Sequence, residues 1–472
     1  MISRGLVCRQ NLSNIALCID GGSNVNYGTL HSEIRYFVDK ISKGALVFLI
    51  GNNDRACIIF YLACLESGVI PLLLAEDISL ESLQKLMHAY RPNYLFKIPS
   101  GDGTEDGFSL AWQEGEYGLF QNDDFVHHEI HPDLALLLAT SGSTGSVKLV
   151  RLSLKNLIEN ATSIAKYLKI TSAETAITSL PFNYSYGLSV INSHLLMGAS
   201  IVLTNRSLLD AGFWKLINEW KVTNLAGVPY SYEILLKLRL ERLKMPTIKT
   251  FTQAGGRLDP IKIKKIAEFC LAKNMRFFTM YGQTEATARI SYLQLDDMLQ
   301  LPGSIGKAIP NGRLRLEGAD GRSIETPGVV GELVYEGPNV SMGYAECLDD
   351  LKLGDIFKGV LHTGDLASFD EAGYFYIDGR IQRFLKIFGV RISLDAIERM
   401  LIEMSLEGAS HGTDDLLIIS VVNLQLDKCE ELHGFFSRRL GLHHSGVRVQ
   451  NISNLPRLAN GKVDYQCLNK SA

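Results

Sequence analysis

Short apolar runs alternate with helical patterns over roughly the first 300 residues, and few architectures accommodate this alternation. Strands are predicted at 45–50, 69–74, 134–139, 201–204, 224–228 and 249–254. Helices are predicted between them, at about 55–67, 155–169, 213–220, 230–244 and 261–273. Such alternation favours parallel sheets covered by helices, so an α/β fold is predicted.

The pattern changes after about residue 300, where Gly and Pro become frequent. Segments 331–335 and 373–377 are typical of strands in a turn-connected sheet. A small mixed segment begins at about residue 381, with a helix predicted at 394–403 and a strand at 416–423. A length of 472 residues is too great for a single ordinary core.

Composition excludes several classes of protein. Apolar residues make up 46% and charged residues 21%, and the net charge is −4, which is too weak to indicate a polyanionic partner. No basic run with interleaved aromatics appears, so nucleic acid is not expected. Polar residues interrupt the apolar stretch 45–74, and no signal peptide or membrane span is predicted. Eight cysteines without a CxxC pair favour a reduced, cytoplasmic setting and no structural metal.

A loop of small and hydroxyl residues follows the strand predicted at 134–139. Glycines allow backbone N–H groups to approach an anion, hydroxyls donate further hydrogen bonds, and a lysine neutralises phosphate charge. No Gly-Lys-Ser/Thr ends the loop, so it is not the nucleoside-triphosphatase P-loop. A flexible surface loop is the alternative. The candidate residues are Thr140, Ser141, Gly142, Ser143, Thr144, Gly145 and Lys148.

A second motif, Tyr281-Gly282-Gln283-Thr284-Glu285, follows a strand predicted at 277–280. A carboxylate just beyond a strand suits Mg²⁺, and a hydroxyl beside it suits a phosphate oxygen. The alternative is a turn followed by the start of a helix, with Thr284 as its cap.

A third motif combines His362-Thr363-Gly364-Asp365 with Asp378-Gly379-Arg380. Asp365 could accept hydrogen bonds from both hydroxyls of a ribose, and Arg380 could add a charged donor. The alternative is a pair of β-turns, because Asp and Gly are common turn residues.

The fourth motif lies near the C-terminus, where residues 455–462 end in Asn460-Gly461-Lys462. A lysine on a Gly-containing turn can approach a developing negative charge. A solvated terminal lysine is the alternative.

Together, the order, spacing and residue types of these motifs resemble the acyl-adenylating superfamily, which comprises acyl- and aryl-CoA synthetases, peptide-synthetase adenylation domains and luciferases. The resemblance covers nearly the whole chain. Gly255-Gly256-Arg257 is similar to the family's adenine-binding turn, and the segment 181–187 is similar to its carboxylate pocket.

The resemblance implies an N-terminal domain, residues 1–380, with two α/β subdomains and a distorted β-barrel. It also implies a small, mobile α+β domain, residues 381–472, that carries a catalytic lysine and rotates about a hinge. The hinge position is usually Asp or Lys in the family, and here it is Gln382. This departure removes the charged side chain that is usual at the hinge.

The implied chemistry has two half-reactions, with ATP, Mg²⁺ and a thiol from coenzyme A or carrier-bound phosphopantetheine. The loop 140–148 holds the β- and γ-phosphates, and Tyr281 and Gly282 belong to the nucleotide site. Thr284 contacts the α-phosphate, Glu285 binds Mg²⁺, Asp365 binds the ribose with Arg380 near it, and Lys462 bridges carboxylate and phosphate.

For the second half-reaction the resemblance assigns two C-terminal residues. Arg391 meets phosphate after rotation, and Gly389 lines the thiol tunnel.

The predicted substrate pocket comprises Asn183, Tyr184, Tyr186 and Val228. It lacks the aspartate with which amino-acid-activating relatives bind the α-ammonium, and an unpaired ammonium there is costly. An acyl or aryl acid without further charge is therefore expected. The alternative is that Tyr184 and Tyr186 only pack the core.

The leading hypothesis for function is an AMP-forming acyl- or aryl-CoA synthetase acting on a small carboxylic acid. One alternative is a stand-alone enzyme that loads a separate acyl carrier protein. An amide ligase and a non-catalytic acyl-nucleotide-binding regulator are further alternatives.

Overall fold

The computed structural model describes residues 5–99, 105–139, 148–381, 383–388, 390–413, 415–458 and 461–470. Its helices, in chain order, are α1 Tyr27–Val38, α2 Arg55–Ser67, α3 Leu80–Tyr90, α4 Leu154–Leu168, α5 Ser185–Leu196, α6 Ala211–Glu219, α7 Pro229–Lys237, α8 Pro260–Ala272, α9 Leu295–Met298, α10 Leu394–Glu403, α11 Leu426–Leu440 and α12 Tyr465–Lys470. None of these helices is long and apolar enough to cross a membrane.

The strands of the first 300 residues are β1 Ile15–Ile19, β2 Val25–Asn26, β3 Leu46–Gly51, β4 Ile70–Ala75, β5 Tyr94–Lys97, β6 Phe108–Glu114, β7 Tyr117–Asn122, β8 Leu134–Ala139, β9 Leu149–Ser153, β10 Thr175–Ile177, β11 Ser200–Leu203, β12 Asn224–Gly227, β13 Thr250–Gln253, β14 Arg276–Tyr281 and β15 Ser291–Gln294. The later strands are β16 Ser304–Ala308, β17 Arg313–Glu317, β18 Ser323–Ile324, β19 Gly331–Glu336, β20 Gly343–Ala345, β21 Val360–Phe369, β22 Phe375–Arg380, β23 Phe384–Ile387, β24 Val390–Ser393, β25 Gly408–Thr413, β26 Leu416–Val422 and β27 Val447–Ile452.

The larger sheet has 14 strands in the order β18-β17-β19-β21-β22-β16-β15-β14-β13-β12-β10-β11-β1-β2. Strands β1, β11, β10, β12, β13 and β14 run parallel. The strands from β15 to β18 in this order extend the sheet in antiparallel fashion. The sheet therefore joins a parallel half, with its crossover helices, to the turn-connected half expected after residue 300.

The second sheet has 8 strands in the order β20-β9-β8-β4-β3-β5-β7-β6, with a parallel centre from β8 to β5. Helices α2, α4 and α5 pack between the two sheets. One apolar cluster combines Leu17 and Val47 from strands with Phe60, Leu157 and Ile191 from helices. Each such buried side chain contributes about 1.5–3 kcal/mol relative to exposure, so this cluster is a main source of stability.

Residues from Phe384 onward form a hairpin, β23–β24, and a three-stranded sheet, β25-β26-β27. They have an apolar cluster of their own that includes Ile387, Leu401, Leu417 and Phe436. Helix α10 begins after Ser393, whose side chain accepts a hydrogen bond from the Ala396 amide. Such a cap satisfies one of the unpaired amides at the helix start.

The predicted α/β fold is confirmed, and the predicted helices and strands agree with the structure to within a few residues, with one exception. The helix predicted at 230–244 ends at Lys237, because Arg239 adopts a left-handed backbone with φ 59°. The β-turns offered as an alternative for the third motif are also wrong. Asp365 lies in β21 and Arg380 in β22, and the two are register partners.

Candidate active site

Three neighbouring parallel strands end at one edge of the larger sheet. Val228 follows β12, Gly255 follows β13, and Gly282 follows β14. Because the carboxyl ends of adjacent parallel strands share an edge, this edge is where α/β proteins bind ligands. Residues predicted separately for the nucleotide and for the acid are therefore brought together.

The second motif continues from β14 into a short 3₁₀ turn, Thr284–Ala286. The Thr284 hydroxyl lies 3.2 Å from the Ser185 hydroxyl at the start of α5. The Glu285 carboxylate accepts a hydrogen bond of 2.9 Å from the Tyr344 hydroxyl. The Lys148 ammonium lies 4.3 Å from the centre of the Tyr344 ring. One tyrosine thus connects the carboxylate predicted to bind metal with the lysine predicted to bind phosphate.

Asp365 is 2% exposed, and its carboxylate accepts hydrogen bonds from three side chains. Its Oδ2 atom accepts hydrogen bonds from the Tyr281 hydroxyl and, at 2.9 Å, from Gln283 Nε2. Its Oδ1 atom accepts from Arg380 Nε at 2.9 Å. Burial and the neighbouring Asp365 raise the pKa of Tyr281, so this phenol remains a donor at neutral pH. The carboxylate is therefore fixed in place beside the end of β14.

The loop that carries Lys462 lies against the first turn of α7. A Cβ atom on Gly461 would approach Val228 Cγ2 to 2.7 Å, so the loop backbone passes directly over this side chain. On the same loop, Arg457 lies 3.8 Å from Glu233 and 5.1 Å from the ring centre of Tyr230. These contacts join the C-terminal segment to the strand ends of the larger sheet.

Lys462 itself lies above the predicted substrate pocket. Its ammonium is 5.9 Å from the ring centre of Tyr184. Burial of the ammonium and the charge of Arg380 lower the pKa of Lys462, while Glu285 and Asp365 act in the opposite direction. The residue as a whole is exposed, and its ammonium interacts electrostatically with Glu285 of the second motif and with Asp365 and Arg380 of the third. A cation is thus placed where phosphate and carboxylate are predicted to meet.

The predicted pocket residues surround the start of α5. Asn183 lies in the preceding turn and is partly buried, and Tyr184 is the N-cap residue of the helix. Burial raises the pKa of Tyr184 to about 12. Tyr186 is 2% exposed and donates its hydroxyl to the Thr252 carbonyl at 2.8 Å. Tyr186 is therefore held by the core, whereas Tyr184 faces Gly255, where a Cβ would lie 2.4 Å from the tyrosine hydroxyl.

Three of the remaining predicted residues, Gly256, Arg257 and Arg391, lie in the described part of the chain. Gly256 and Arg257 follow Gly255 on the exposed turn after β13, and Arg257 interacts electrostatically with Arg399 and Asp378. Arg391 lies on strand β24. The predicted residues outside the described part of the chain are Thr140, Ser141, Gly142, Ser143, Thr144, Gly145, Gln382 and Gly389.

Sequence reasoning missed Tyr344 and gave no role to Gln283. Tyr344 reaches Glu285 because β20 pairs with β9, which places Tyr344 opposite Val150. No local pattern indicates this pairing. Gln283 could have been found, because it stands inside the second motif between a strand end and the predicted metal ligand.

The model of the family described as AMP-binding enzyme matches residues 8–345 of the chain. The chain belongs to this family. The match ends before Asp365, Arg380 and Lys462.

Two curated relatives illustrate the range within the family. The chain is 28% identical to oxalate–CoA ligase of Arabidopsis thaliana over 71% of its own length and 66% of the relative's. It is 30% identical to 2-succinylbenzoate–CoA ligase of Bacillus cereus strain ZK / E33L over 69% of its length and 68% of the relative's. The chain thus spans about two thirds of each.

Solved structures share the fold over nearly the full chain. O-succinylbenzoate coenzyme A synthetase of Bacillus subtilis in complex with AMP matches with a TM-score of 0.77 and 22% identity, over 97% of this chain and 96% of that one. The same enzyme in complex with ATP and magnesium ion matches with a TM-score of 0.75 and 22% identity, over 96% of both chains.

Proposed function

We propose that this protein activates a carboxylic acid with ATP and passes the acyl group to a thiol. The carboxylate oxygen attacks the α-phosphorus of ATP, the bond to pyrophosphate breaks, and acyl-AMP forms. A thiol sulfur then attacks the acyl carbon, its proton is lost, and AMP leaves. The observation that supports this best is the docking of the Lys462 loop over the strand ends, beside Glu285 and Asp365.

In the first half-reaction the chain positions charge and contributes no nucleophile of its own. The Lys462 ammonium and the Thr284 hydroxyl stabilise negative charge at the α-phosphate as pyrophosphate departs. The lysine in its docked position lies above Tyr184, so acid and phosphate are proposed to meet between these two residues.

Glu285 suits a magnesium ion. One of its oxygens is held by Tyr344, the other has no hydrogen-bond partner among the described residues, and the side chain is partly exposed. Mg²⁺ is usually bound by one or two carboxylates together with substrate phosphates. When bound, Mg²⁺ would neutralise phosphate charge. The role of Tyr344 is to orient the carboxylate, and that of Lys148 is to add a second positive charge nearby.

Asp365 is the proposed ribose ligand. Because Tyr281, Gln283 and Arg380 already fill much of its acceptor capacity, ribose hydroxyls must replace at least one donor to bind it bidentately. Arg380 is the donor best able to move, since its side chain is 57% exposed.

For the second half-reaction we propose that residues 381–472 form a separate domain that rotates about Gln382. Gly389 would then line the thiol path and Arg391 would meet phosphate, as the family resemblance implies. Coenzyme A is the proposed thiol, because both curated relatives are named as CoA ligases. Their names include oxalate and 2-succinylbenzoate, and do not specify the acid used here.

Pyrophosphate release with a panel of carboxylic acids tests the proposal. Acid-dependent release is expected, and Glu285→Ala should reduce it by about 10²–10³ through loss of a charge-stabilising contact. Glu371→Ala is the matched control, since this glutamate is exposed in the turn between β21 and β22. Mass spectrometry with coenzyme A, a holo-carrier protein or an amine then identifies the acceptor. Nucleotide binding without any acid-dependent pyrophosphate release would instead indicate a non-catalytic regulator.

A further inference from the structure

Arg289 is a buried cation with no counter-ion among the residues that the structure describes. It is 2% exposed, and it forms no ion pair with any carboxylate in the described part of the chain. Its Nε atom is buried and has no hydrogen-bond partner there. Arginine remains protonated in proteins, and an uncompensated buried charge is strongly unfavourable. The position therefore calls for an anion that the described chain does not provide.

Aromatic rings surround the guanidinium. Its Cζ atom lies 4.0 Å from the ring centre of Tyr186, a cation–π contact. Its charge also acts on Tyr167 and Tyr184, and the guanidinium hydrogen-bonds to the Tyr167 side chain, which is a neutral partner. Burial raises the pKa of both tyrosines to about 12, so at neutral pH neither is a tyrosinate that could balance the charge.

The cation lies behind the proposed acyl site. Tyr184 and Tyr186 make an edge contact with ring centres 6.3 Å apart. Lys462 is above Tyr184, and Arg289 is stacked on Tyr186. An acid with its reacting carboxylate beneath Lys462 would therefore extend past Tyr184 toward Arg289.

The backbone holds Arg289 in place. A Cβ atom on Gly282 would lie 1.8 Å from the Ala288 carbonyl oxygen, so the backbone just before Arg289 passes directly against the second motif. The Arg289 carbonyl accepts a hydrogen bond of 2.8 Å from Asn339 Nδ2. The guanidinium is thus a positioned feature of the site, four residues beyond Glu285 in the chain.

We propose that the acid substrate carries a second anionic group, which pairs with Arg289 while its other carboxylate is adenylated. This rests on the proposed adenylating function. It replaces the sequence-based expectation of an acid without further charge, which considered only the uncharged segment around Tyr184. A carboxylate or sulfonate would suit, because the planar guanidinium binds two oxygens at once. An α-ammonium group would be repelled.

Matched acids test this proposal without any variant. Pyrophosphate release is measured for aliphatic monocarboxylates and dicarboxylates of equal carbon number, from three to eight, and for benzoate against the three benzenedicarboxylates. At least one diacid is expected to exceed its monoacid by about 100-fold in kcat/KM, as is typical when a buried charge is left unpaired.

Variants of Arg289 test whether this residue causes the preference for diacids. Arg289→Met should lower the diacid-to-monoacid ratio of kcat/KM by about 100-fold, and Arg289→Lys should retain part of it, since a charge without the planar fork remains. Arg151→Met is the matched control. Arg151 is also fully buried, but its guanidinium donates to the carbonyls of Met342, Tyr344 and Gly354. Its loss should lower stability and leave the ratio unchanged.

The outcomes separate the two proposals. Monoacids used as well as diacids at every length, or an unchanged ratio in Arg289→Met, would assign Arg289 a structural role only and leave adenylation standing. Wild-type protein that binds MgATP yet activates neither series would overturn both the second-anion proposal and the adenylating function on which it rests. Failure to bind MgATP at all would refute the adenylating function itself.

Discussion

Lys462→Ala should separate the two half-reactions. The lysine reaches the site only because the loop of Gly461 and Arg457 is docked on α7. Truncation removes the cation from the place where acyl-AMP forms and leaves the strand-end residues in place. Formation of acyl-AMP is expected to slow by about 10²–10³, the usual effect of losing one preorganised charge-stabilising contact. Turnover of supplied acyl-AMP with the thiol should continue.

The surroundings of Lys462 support the upper part of this range and predict a pH dependence. Its ammonium is partly desolvated and close to Arg380, and both effects lower its pKa from the ordinary 10.5. A less hydrated charge interacts more strongly with phosphate. Because the protonated form is the active one, acyl-AMP formation should fall as pH rises through the lowered pKa. Lys462→Arg should shift that decline to higher pH, since a guanidinium stays charged.

The assay measures each half-reaction alone, as ATP–pyrophosphate exchange and as thiolysis of synthetic acyl-AMP. Lys470→Ala is the matched control, because Lys470 is exposed on α12 of the same segment. Gly389→Leu, which rests on the family resemblance, should form acyl-AMP and then stall. If Lys462→Ala and Gly389→Leu slowed both half-reactions equally, this result would refute the proposal that residues 381–472 alternate between one arrangement for each half-reaction.

Three further variants address the contacts that assemble the site. Tyr344→Phe keeps the ring beside Lys148 and removes the hydrogen-bond donor to Glu285. Because a partly exposed hydrogen bond of this kind is worth about 0.5–1.5 kcal/mol, the Mg²⁺ concentration for half-maximal ATP–pyrophosphate exchange should rise about 2- to 12-fold. An unchanged Mg²⁺ concentration would contradict the orienting role of Tyr344. Arg457→Ala should slow pyrophosphate exchange but spare thiolysis, because it loosens the docked loop; equal loss in both would be evidence against this. Gly461→Ala adds a methyl group 2.7 Å from Val228 and should disfavour docking of the Lys462 loop by about 1–3 kcal/mol. The expected result is slower pyrophosphate exchange at an unchanged rate of thiolysis. Full exchange activity would show that the loop is not held against Val228.

The sequence alone determined the α/β class and most element positions, because the period of the apolar residues is a local property. Helix α2 and strand β8 have the predicted bounds. The loops after strands were also predictable, since β14 ends where the second motif begins. The sequence did not reveal the end of α7, where the left-handed conformation of Arg239 overrides a continuing helical pattern.

Only the tertiary structure decided which side chains complete the site. Asp365 and Arg380 form an ion pair because an antiparallel register places them opposite each other, and Tyr344 meets Glu285 because β20 pairs with a strand almost 200 residues earlier. Arg289 belongs to no predicted site in the sequence, and it becomes informative only through its burial and the lack of a counter-ion in the described part of the chain. Pairing register, burial and charge compensation depend on residues distant in the chain, and local periodicity contains no information about them.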